Sequence, residues 1–248
     1  MKKRLDVLIF EKNLVESRSK AQALVMEGKV FVDGEKITKA GTQVNEDAVI
    51  EIEKQNPYVS RGGLKLESVL SLFDIDFTDK ICIDIGASTG GFTDCMLQHG
   101  AKKVYAVDVG TAQLHYKLRN DKRVVNIENV NFRYFDKSLL KDKIDIVTID
   151  VSFISLDKIL PVVSEVVTNE SLVVAMIKPQ FELEPFEVKK GVVKDESLRQ
   201  KAIDKIKKCA INLGFEILKE QDSAVKGPKG NLEHFVLLKN CLNNFLLN

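Results

Sequence analysis

Hydrophobic spacing divides the chain into a short first segment and a longer second one. In the first segment, helical spacing and then strand-like alternation occur at 5–13, 17–27, 29–32 and 49–52. Ser17 is suited to cap the second helix, and Gly28 is suited to end it. Asp33-Gly34 predicts a tight hairpin turn between strands. These elements predict a small α+β domain.

The second segment alternates strands with helices. Its strand-like apolar runs lie at 81–85, 103–108, 145–150, 172–178, 215–219 and 233–239. Helical spacing occurs at 62–73, 91–99, 156–168 and 196–213. This alternation predicts an α/β fold, with a mostly parallel sheet covered by helices on both faces. The loop before the last strand is too short for a helix, so the last two strands should pair antiparallel at the sheet edge.

A proline separates the two segments. Regular structure is disfavoured at Gln55-Asn56-Pro57, because both a proline and the residue before it resist it. The predicted organisation is a small domain, a linker, a Rossmann-like domain and an uninformative tail, at 1–54, 55–61, 62–240 and 241–248.

Charge places only weak limits on the partners of this protein. The 248 residues include 37 Lys and Arg against 36 Asp and Glu, which leaves a net charge of +1. Residues 1–54 are equally balanced, with 10 basic and 10 acidic side chains. Any affinity for a nucleic acid must therefore come from how the charges are distributed, and not from their sum.

The cysteines and the hydropathy of the chain indicate a reducing compartment. The four cysteines are widely spaced and form no CxxC pair: Cys82, Cys95, Cys209 and Cys241. This spacing argues against a structural disulfide or a metal site. The basic residues at the start are followed by no long apolar stretch, so we expect no signal peptide, and no run of about 18 apolar residues is found. We therefore expect a cytoplasmic protein without a bound metal.

A glycine-rich turn follows the first strand of the second segment. The run from Ile81 to Thr93 combines a buried strand, a turn with three glycines and the start of a helix. Glycines let the backbone approach a ligand closely, and the helix start presents free N–H groups. Asp108 ends the next strand, 22 residues after Gly86. A doubly wound fold places the acid that binds ribose hydroxyls at about this position.

The spacing within the turn distinguishes between two cofactors. It is Asp-x-Gly-x-x-x-Gly-Gly from Asp84, and not the Gly-x-Gly-x-x-Gly of dinucleotide enzymes. An acid in the turn would repel a pyrophosphate but can bind an ammonium group, which S-adenosylmethionine carries. A nucleotide-dependent oxidoreductase remains the less favoured alternative. The predicted cofactor-binding residues are Asp84, Gly86, Ser88, Gly90, Gly91, Phe92 and Asp108.

Charged residues end two other strands. Asp150 follows the run 145–149, and Lys178 follows the run 172–177. Ligands of open α/β sheets bind beyond the carboxyl ends of the strands, so both side chains should enter the site. Lys65 and Glu233 are further candidates, but periodicity alone does not bring them together.

The chain resembles the FtsJ-type ribose 2′-O-methyltransferases, and more closely the TlyA family, which joins an S4 RNA-binding domain to an FtsJ-like domain and is often called hemolysin. The resemblance covers residues 3–239. It lies in the runs Val59–Leu66, Asp84–Thr93, Asp150–Leu156 and Ile177–Glu182, and in the S4-like runs Ser17–Ala21 and Gly28–Val32. Tyr58 departs from the family pattern, since some members carry a Trp there.

The resemblance implies a catalytic tetrad and an RNA substrate. The tetrad is Lys65, Asp150, Lys178 and Glu233. Lys178 would accept the proton of a ribose hydroxyl, Asp150 would orient Lys178, and Glu233 would hold Lys65. The implied substrate is a cytidine 2′-hydroxyl of ribosomal RNA. The best phosphate-binding candidates are Arg4, Arg18, Lys20 and Arg61.

Two alternatives to a ribosomal RNA methyltransferase stay open at this point. One is a hemolysin-like, membrane-active protein. The other is a non-catalytic RNA-binding protein that has kept the fold. The motifs favour the enzyme, because both the turn and the tetrad are intact.

Overall fold

The computed structural model describes residues 1–53, 56–227 and 229–241. The chain divides into two compact units, residues 1–55 and 56–248. The predicted tail lies outside the described residues, except for Cys241.

Over its described residues, 1–53, the first unit contains two helices and five short strands. Its helices are α1 (Leu5–Glu11) and α2 (Arg18–Met26). Its strands are β1 (Lys2–Arg4), β2 (Val30–Val32), β3 (Glu35–Ile37), β4 (Gln43–Asn45) and β5 (Ile50–Ile52). Strands β1 and β4 form one sheet, and the other three form a second sheet in the order β3-β2-β5. The predicted Ser17 cap is present, since the Ser17 hydroxyl accepts a hydrogen bond from the Lys20 N–H at 3.2 Å.

Within its described residues, 56–227 and 229–241, the second unit contains seven strands and six α-helices. Its strands are β6 (Ile81–Ile85), β7 (Lys103–Val107), β8 (Val124–Ile127), β9 (Ile146–Ile149), β10 (Leu172–Ile177), β11 (Phe215–Asp222) and β12 (His234–Asn240). Its helices are α3 (Arg61–Phe73), α4 (Gly91–Gln98), α5 (Tyr116–Arg119), α6 (Leu160–Val166), α7 (Pro179–Glu182) and α8 (Glu196–Asn212).

One mixed sheet organises the second unit. Its strand order is β11-β12-β10-β9-β6-β7-β8. Strand β12 runs antiparallel to both of its neighbours, and the β10-β9-β6-β7-β8 pairings are parallel. The predicted α/β class and the antiparallel last strand are confirmed. Two apolar clusters lie on the sheet, one packed with α6 and α8 and the other with α3 and α4.

The sequence analysis did not predict strand β8 or the short helices α5 and α7. Strand β8 lies at the sheet edge, and three of its four residues are only half-buried, so its apolar pattern is weak. The helix predicted over 156–168 is a 3-10 turn at Leu156–Lys158 followed by α6, which has Pro161 in its first turn. A proline is tolerated there because the first N–H groups of a helix have no intrahelical partner. Over the described ranges, no helix is long and apolar enough to cross a membrane.

Candidate active site

A cavity of about 600 Å³ opens in the second unit at the carboxyl ends of β6, β9 and β10. The glycine-rich turn and the four residues of the predicted tetrad all contribute to its walls. An open α/β sheet binds its ligands at this edge, because neighbouring parallel strands end there together.

Lys178 and Asp150 meet because their strands are parallel neighbours. Ala175 of β10 is aligned with Ile149 of β9, so the residues that follow the two strands emerge side by side. Lys178 Nζ lies 2.5 Å from Asp150 Oδ1 and donates a hydrogen bond to Ser152 Oγ at 2.9 Å. The contact with Asp150 is ionic, since Oδ1 accepts no well-directed hydrogen bond in the described part of the chain. The lysine ammonium is therefore held at a defined point of the cavity wall.

Lys65 and Glu233 form a second pair, buried more deeply. Lys65 lies on α3, and Glu233 immediately precedes β12. Lys65 Nζ donates to Glu233 Oε2 at 2.5 Å, and the two side chains are 9% and 1% exposed. A charge buried to this extent is stable only with a partner of opposite sign, so the two residues depend on each other.

Backbone geometry explains two glycines of the turn. Gly86 has a φ of +85°, and a Cβ atom there would lie 2.8 Å from the Asp150 carbonyl oxygen. At Gly91, the first residue of α4, a Cβ atom would lie 2.2 Å from Ser60 Oγ. Both glycines line the cavity, so the backbone itself forms this part of the wall.

Replacing Gly86 with alanine should destabilise the second unit and weaken ligand binding at the turn. Gly230 provides a matched control in the same unit, because its φ is +84° and a Cβ atom there meets nothing within 4 Å. Both substitutions carry the left-handed backbone cost of about 1 kcal/mol, but only G86A adds a clash with Asp150. We expect G86A to lower the free energy of unfolding of the second unit by roughly 1–3 kcal/mol more than G230A, measured by urea denaturation. Equal losses would show that the close approach to Asp150 relaxes without cost.

Asp84 does not reach the cavity. Its carboxylate is fully buried, with Oδ2 accepting from the Thr93 N–H at 2.9 Å and the Thr93 hydroxyl at 2.6 Å. The Thr148 hydroxyl donates to Oδ1 at 3.2 Å. Burial raises the pKa of Asp84 to about 7, against the opposing effect of these hydrogen bonds. The geometry makes Asp84 an anchor between β6 and the start of α4.

Asp108 and Gly90 also support the turn, Asp108 by hydrogen bonds to backbone N–H groups and Gly90 by close packing. Asp108 Oδ2 accepts from the Ser88 N–H at 2.8 Å, and Oδ1 accepts from the Gly110 N–H at 2.7 Å. A Cβ atom at Gly90 would lie 2.2 Å from Leu118 Cδ1, so this glycine is needed for packing. Ser88 itself lines the cavity, with a φ of +48°. Phe92 also lines it and stacks on Phe235 with 6.2 Å between ring centroids.

In the first unit, a buried acid organises two of the predicted phosphate-binding arginines. Asp6 is fully buried and binds the side chains of both Arg4 and Arg18, with Nε–O distances of 3.0 Å in each case. Gln22 donates to the same carboxylate at 2.7 Å. The two arginine side chains remain 45% and 50% exposed. Lys20 is exposed on α2.

In the second unit, Arg61 is exposed at the cavity wall and donates to the Lys226 carbonyl at 2.9 Å.

The sequence analysis did not identify several residues of the site. Ser152, Phe153, Phe181 and Asn231 all line the cavity. Phe153 is 90% exposed with a φ of +63°, and its ring lies 5.0 Å from that of Phe181. An aromatic residue just after a strand-ending acid is the one signal that could have identified Phe153. Among the described residues, no group of three or more His, Cys, Asp and Glu side chains is placed to hold a metal ion.

The sheet order, the glycine-rich turn and the ligand cavity at the strand ends define the second unit as a methyltransferase-type α/β domain. Residues 58–240 match the FtsJ-like methyltransferase family, and residues 3–50 match the S4 domain. The chain therefore belongs to the FtsJ-like methyltransferase family and carries an S4 domain in its first unit.

Individual relatives agree with this assignment. The chain is 46% identical to Hemolysin A of Brachyspira hyodysenteriae, over 94% of this chain and 100% of that protein. It is 37% identical to the 16S/23S rRNA (cytidine-2′-O)-methyltransferase TlyA of Mycobacterium tuberculosis, over 95% and 89% of the two chains. A solved Streptococcus thermophilus structure with a hemolysin name shares 42% identity and a TM-score of 0.75, over 97% of this chain and 89% of that one.

Proposed function

We propose that this protein transfers the methyl group of S-adenosylmethionine to a cytidine 2′-hydroxyl of ribosomal RNA. The observation that carries the proposal is the meeting of two lysine–carboxylate pairs in one cavity with the glycine-rich turn. The M. tuberculosis relative bears the name of this activity, which supports the choice of substrate. The proposed domain limits are 1–54 for RNA binding and 62–240 for catalysis, with a linker at 55–61, and the proposed location is the cytoplasm.

The glycine-rich turn is the proposed binding site of S-adenosylmethionine. We assign Gly86, Ser88, Gly91 and Phe92 to direct contact, because all four line the cavity and the two glycines form their part of its wall from backbone. Asp84, Gly90 and Asp108 are assigned to holding the turn in this shape. When bound, S-adenosylmethionine supplies an electrophilic methyl group on a sulfonium that leaves readily.

Lys178 is the group proposed to act on the ribose hydroxyl. As the new O–CH₃ bond forms and the C–S bond breaks, the hydroxyl proton must be taken up. Lys178 Nζ is the proposed acceptor, and it accepts as the neutral amine, after its own proton has passed to the Asp150 carboxylate 2.5 Å away. Asp150 and Ser152 hold that nitrogen in place. Lys65, held by Glu233, adds positive charge near the developing negative charge on the ribose oxygen. Fixing the reacting atoms in line contributes the remaining rate enhancement.

RNA recognition is assigned to both units. Arg4, Arg18 and Lys20 present positive charge on the first unit, and Arg61 does so beside the cavity. Such contacts position the RNA without reading its sequence. The exposed ring of Phe153 offers a surface on which a base can stack when the nucleotide is turned out toward Lys178.

The anchoring role of Asp84 predicts a pH-dependent stability. An unfolded aspartate has a pKa of about 3.9, whereas the folded pKa is about 7. Between these values the folded state binds a proton that the unfolded state has released, so stability should fall as pH rises from about 4 to 7. The D84N variant should lose this dependence in urea denaturation and keep its affinity for S-adenosylmethionine within about threefold. A tenfold or greater loss of affinity, with the pH dependence intact, would instead assign Asp84 to direct binding of the cofactor ammonium.

The activity is tested by incubating the purified protein with radiolabelled S-adenosylmethionine and unmodified small and large ribosomal subunits. Any label is then mapped by primer extension that is sensitive to ribose methylation. Label on a cytidine ribose is the expected result. Cofactor binding without label on either subunit would overturn the proposed substrate.

A further inference from the structure

Two loops beside the cavity carry five exposed lysines. We call Lys189, Lys190, Lys194, Lys226 and Lys229 the lysine lip. None of the five forms an ion pair within the described parts of the chain. Lys189 interacts electrostatically with Asp195, but a lysine that forms no ion pair keeps its charge available for a partner. The lysine lip is therefore a local basic surface on a chain whose net charge is only +1.

A buried asparagine fixes the two loops to each other. Asn231 is 3% exposed; its Oδ1 accepts from the Val193 N–H at 2.9 Å, and its Nδ2 donates to the Gly191 carbonyl at 2.9 Å. Lys190 and Gly191 form a tight turn, with φ values of +54° and +77°. A Cβ atom at Gly191 would lie 2.9 Å from Lys229 Nζ, so the side chain of one loop lies against the backbone of the other. The lysines thus belong to one ordered surface.

The same surface is continuous with the tetrad. Gly191, Lys226, Lys229 and Asn231 line the cavity that contains Lys178. A Cβ atom at Gly227 would lie 2.7 Å from Glu233 Oε1, so the loop that carries Lys226 covers the buried Lys65 pair. A ligand bound in the cavity would therefore lie close to Lys226 and Lys229 of the lip.

We infer that the lysine lip binds the phosphates of the RNA strand on either side of the methylated nucleotide. This inference rests on the proposed function and adds a second RNA contact surface, within the catalytic unit itself. A ribose enters the cavity with its two flanking phosphates attached, and these need cations close to the entrance. Lysine contacts to phosphate add affinity irrespective of base sequence and make that affinity sensitive to salt.

The test replaces two lysines of the lip, in a K226Q/K229Q variant of the full chain. Ribosomal-subunit binding and the KM for subunits should both weaken about tenfold, and the salt slope of log K should fall by roughly 2. The value of kcat and the affinity for S-adenosylmethionine should stay at wild-type levels. The matched control is K80Q/K102Q. Both lysines are exposed and form no ion pair with any described residue, but they lie near the amino ends of β6 and β7, opposite the cavity. The control should behave as wild type.

The outcomes separate this inference from the proposed function. If wild type methylates subunits while K226Q/K229Q keeps wild-type binding, KM and salt slope, the lip does not contact RNA. A loss of kcat with unchanged subunit binding would also overturn the inference, and would assign the loop to the Lys65–Glu233 pair instead. If wild type binds cofactor but methylates neither subunit, the proposed function fails, and direct subunit binding still decides the role of the lip.

Discussion

Replacing Lys178 with alanine is expected to slow methyl transfer by about a thousandfold, the middle of the range for loss of a general base, with little change in cofactor affinity. The reason is its position: Nζ is held by Asp150 and Ser152 at the cavity wall, and Lys178 follows β10 whereas the glycine-rich turn follows β6. Single-turnover methylation of ribosomal subunits gives the rate, and calorimetry with S-adenosylmethionine gives the affinity. Loss of cofactor binding in K178A would move Lys178 from catalysis to cofactor recognition.

Two further variants define what Lys178 does. K178R keeps the positive charge but cannot act as a base at neutral pH, because a guanidinium stays protonated. A nearly inactive K178R supports proton transfer, whereas substantial activity would indicate that the charge alone assists the reaction. K201A is the control, since Lys201 also lies 2.5 Å from a carboxylate, that of Glu187, but its side chain is 61% exposed. We expect K201A to methylate at the wild-type rate.

The sequence predicts the parts of the site that follow from sheet geometry. Asp150 and Lys178 each end an apolar run, and parallel neighbours end at one edge, so their meeting could be inferred without a structure. The same reasoning does not reach Lys65 and Glu233, which lie on a helix and beside an antiparallel strand, 168 residues apart. Only the resemblance to a family placed these two together, and the ion pair in the structure agrees with it.

The rest of the site could not be predicted, because local sequence does not determine the direction in which a side chain points. Spacing located an acid in the turn at Asp84, but the partners that decide its direction, Thr93 and Thr148, lie 9 and 64 residues away. The sequence identified the loop next to Asn231 only by its glycines and proline, and gave no role to Asn231 itself. Its contact with Gly191 spans 40 residues and has no counterpart in any local pattern. The positions of Asp84 and Asn231 depend on tertiary contacts, and the periodicity of the sequence contains no information about such contacts.

Breaking the Lys65–Glu233 pair should have the largest effect on stability. Removing one partner of a buried ion pair leaves an uncompensated charge, at a typical cost of about 3–5 kcal/mol. We therefore expect K65M and E233L each to lower the free energy of unfolding of the second unit by an amount in this range. Urea denaturation, followed by a signal from that unit, measures the loss. The exposed pair Lys143–Glu170, 2.6 Å apart with side chains 55% and 82% exposed, is the control, and K143M should cost less than about 1 kcal/mol.

The double variant K65M/E233L separates the structural role of the pair from its catalytic one. With both charges replaced by apolar side chains of similar volume, stability should recover most of what either single variant loses, since such exchanges are often neutral or better. Methyl transfer should not recover, because the positive charge beside the reacting oxygen is gone. A stable double variant with wild-type kcat would show that the pair serves only to hold α3 against β12, and would leave Lys178 and Asp150 as the sole charged groups of the reaction.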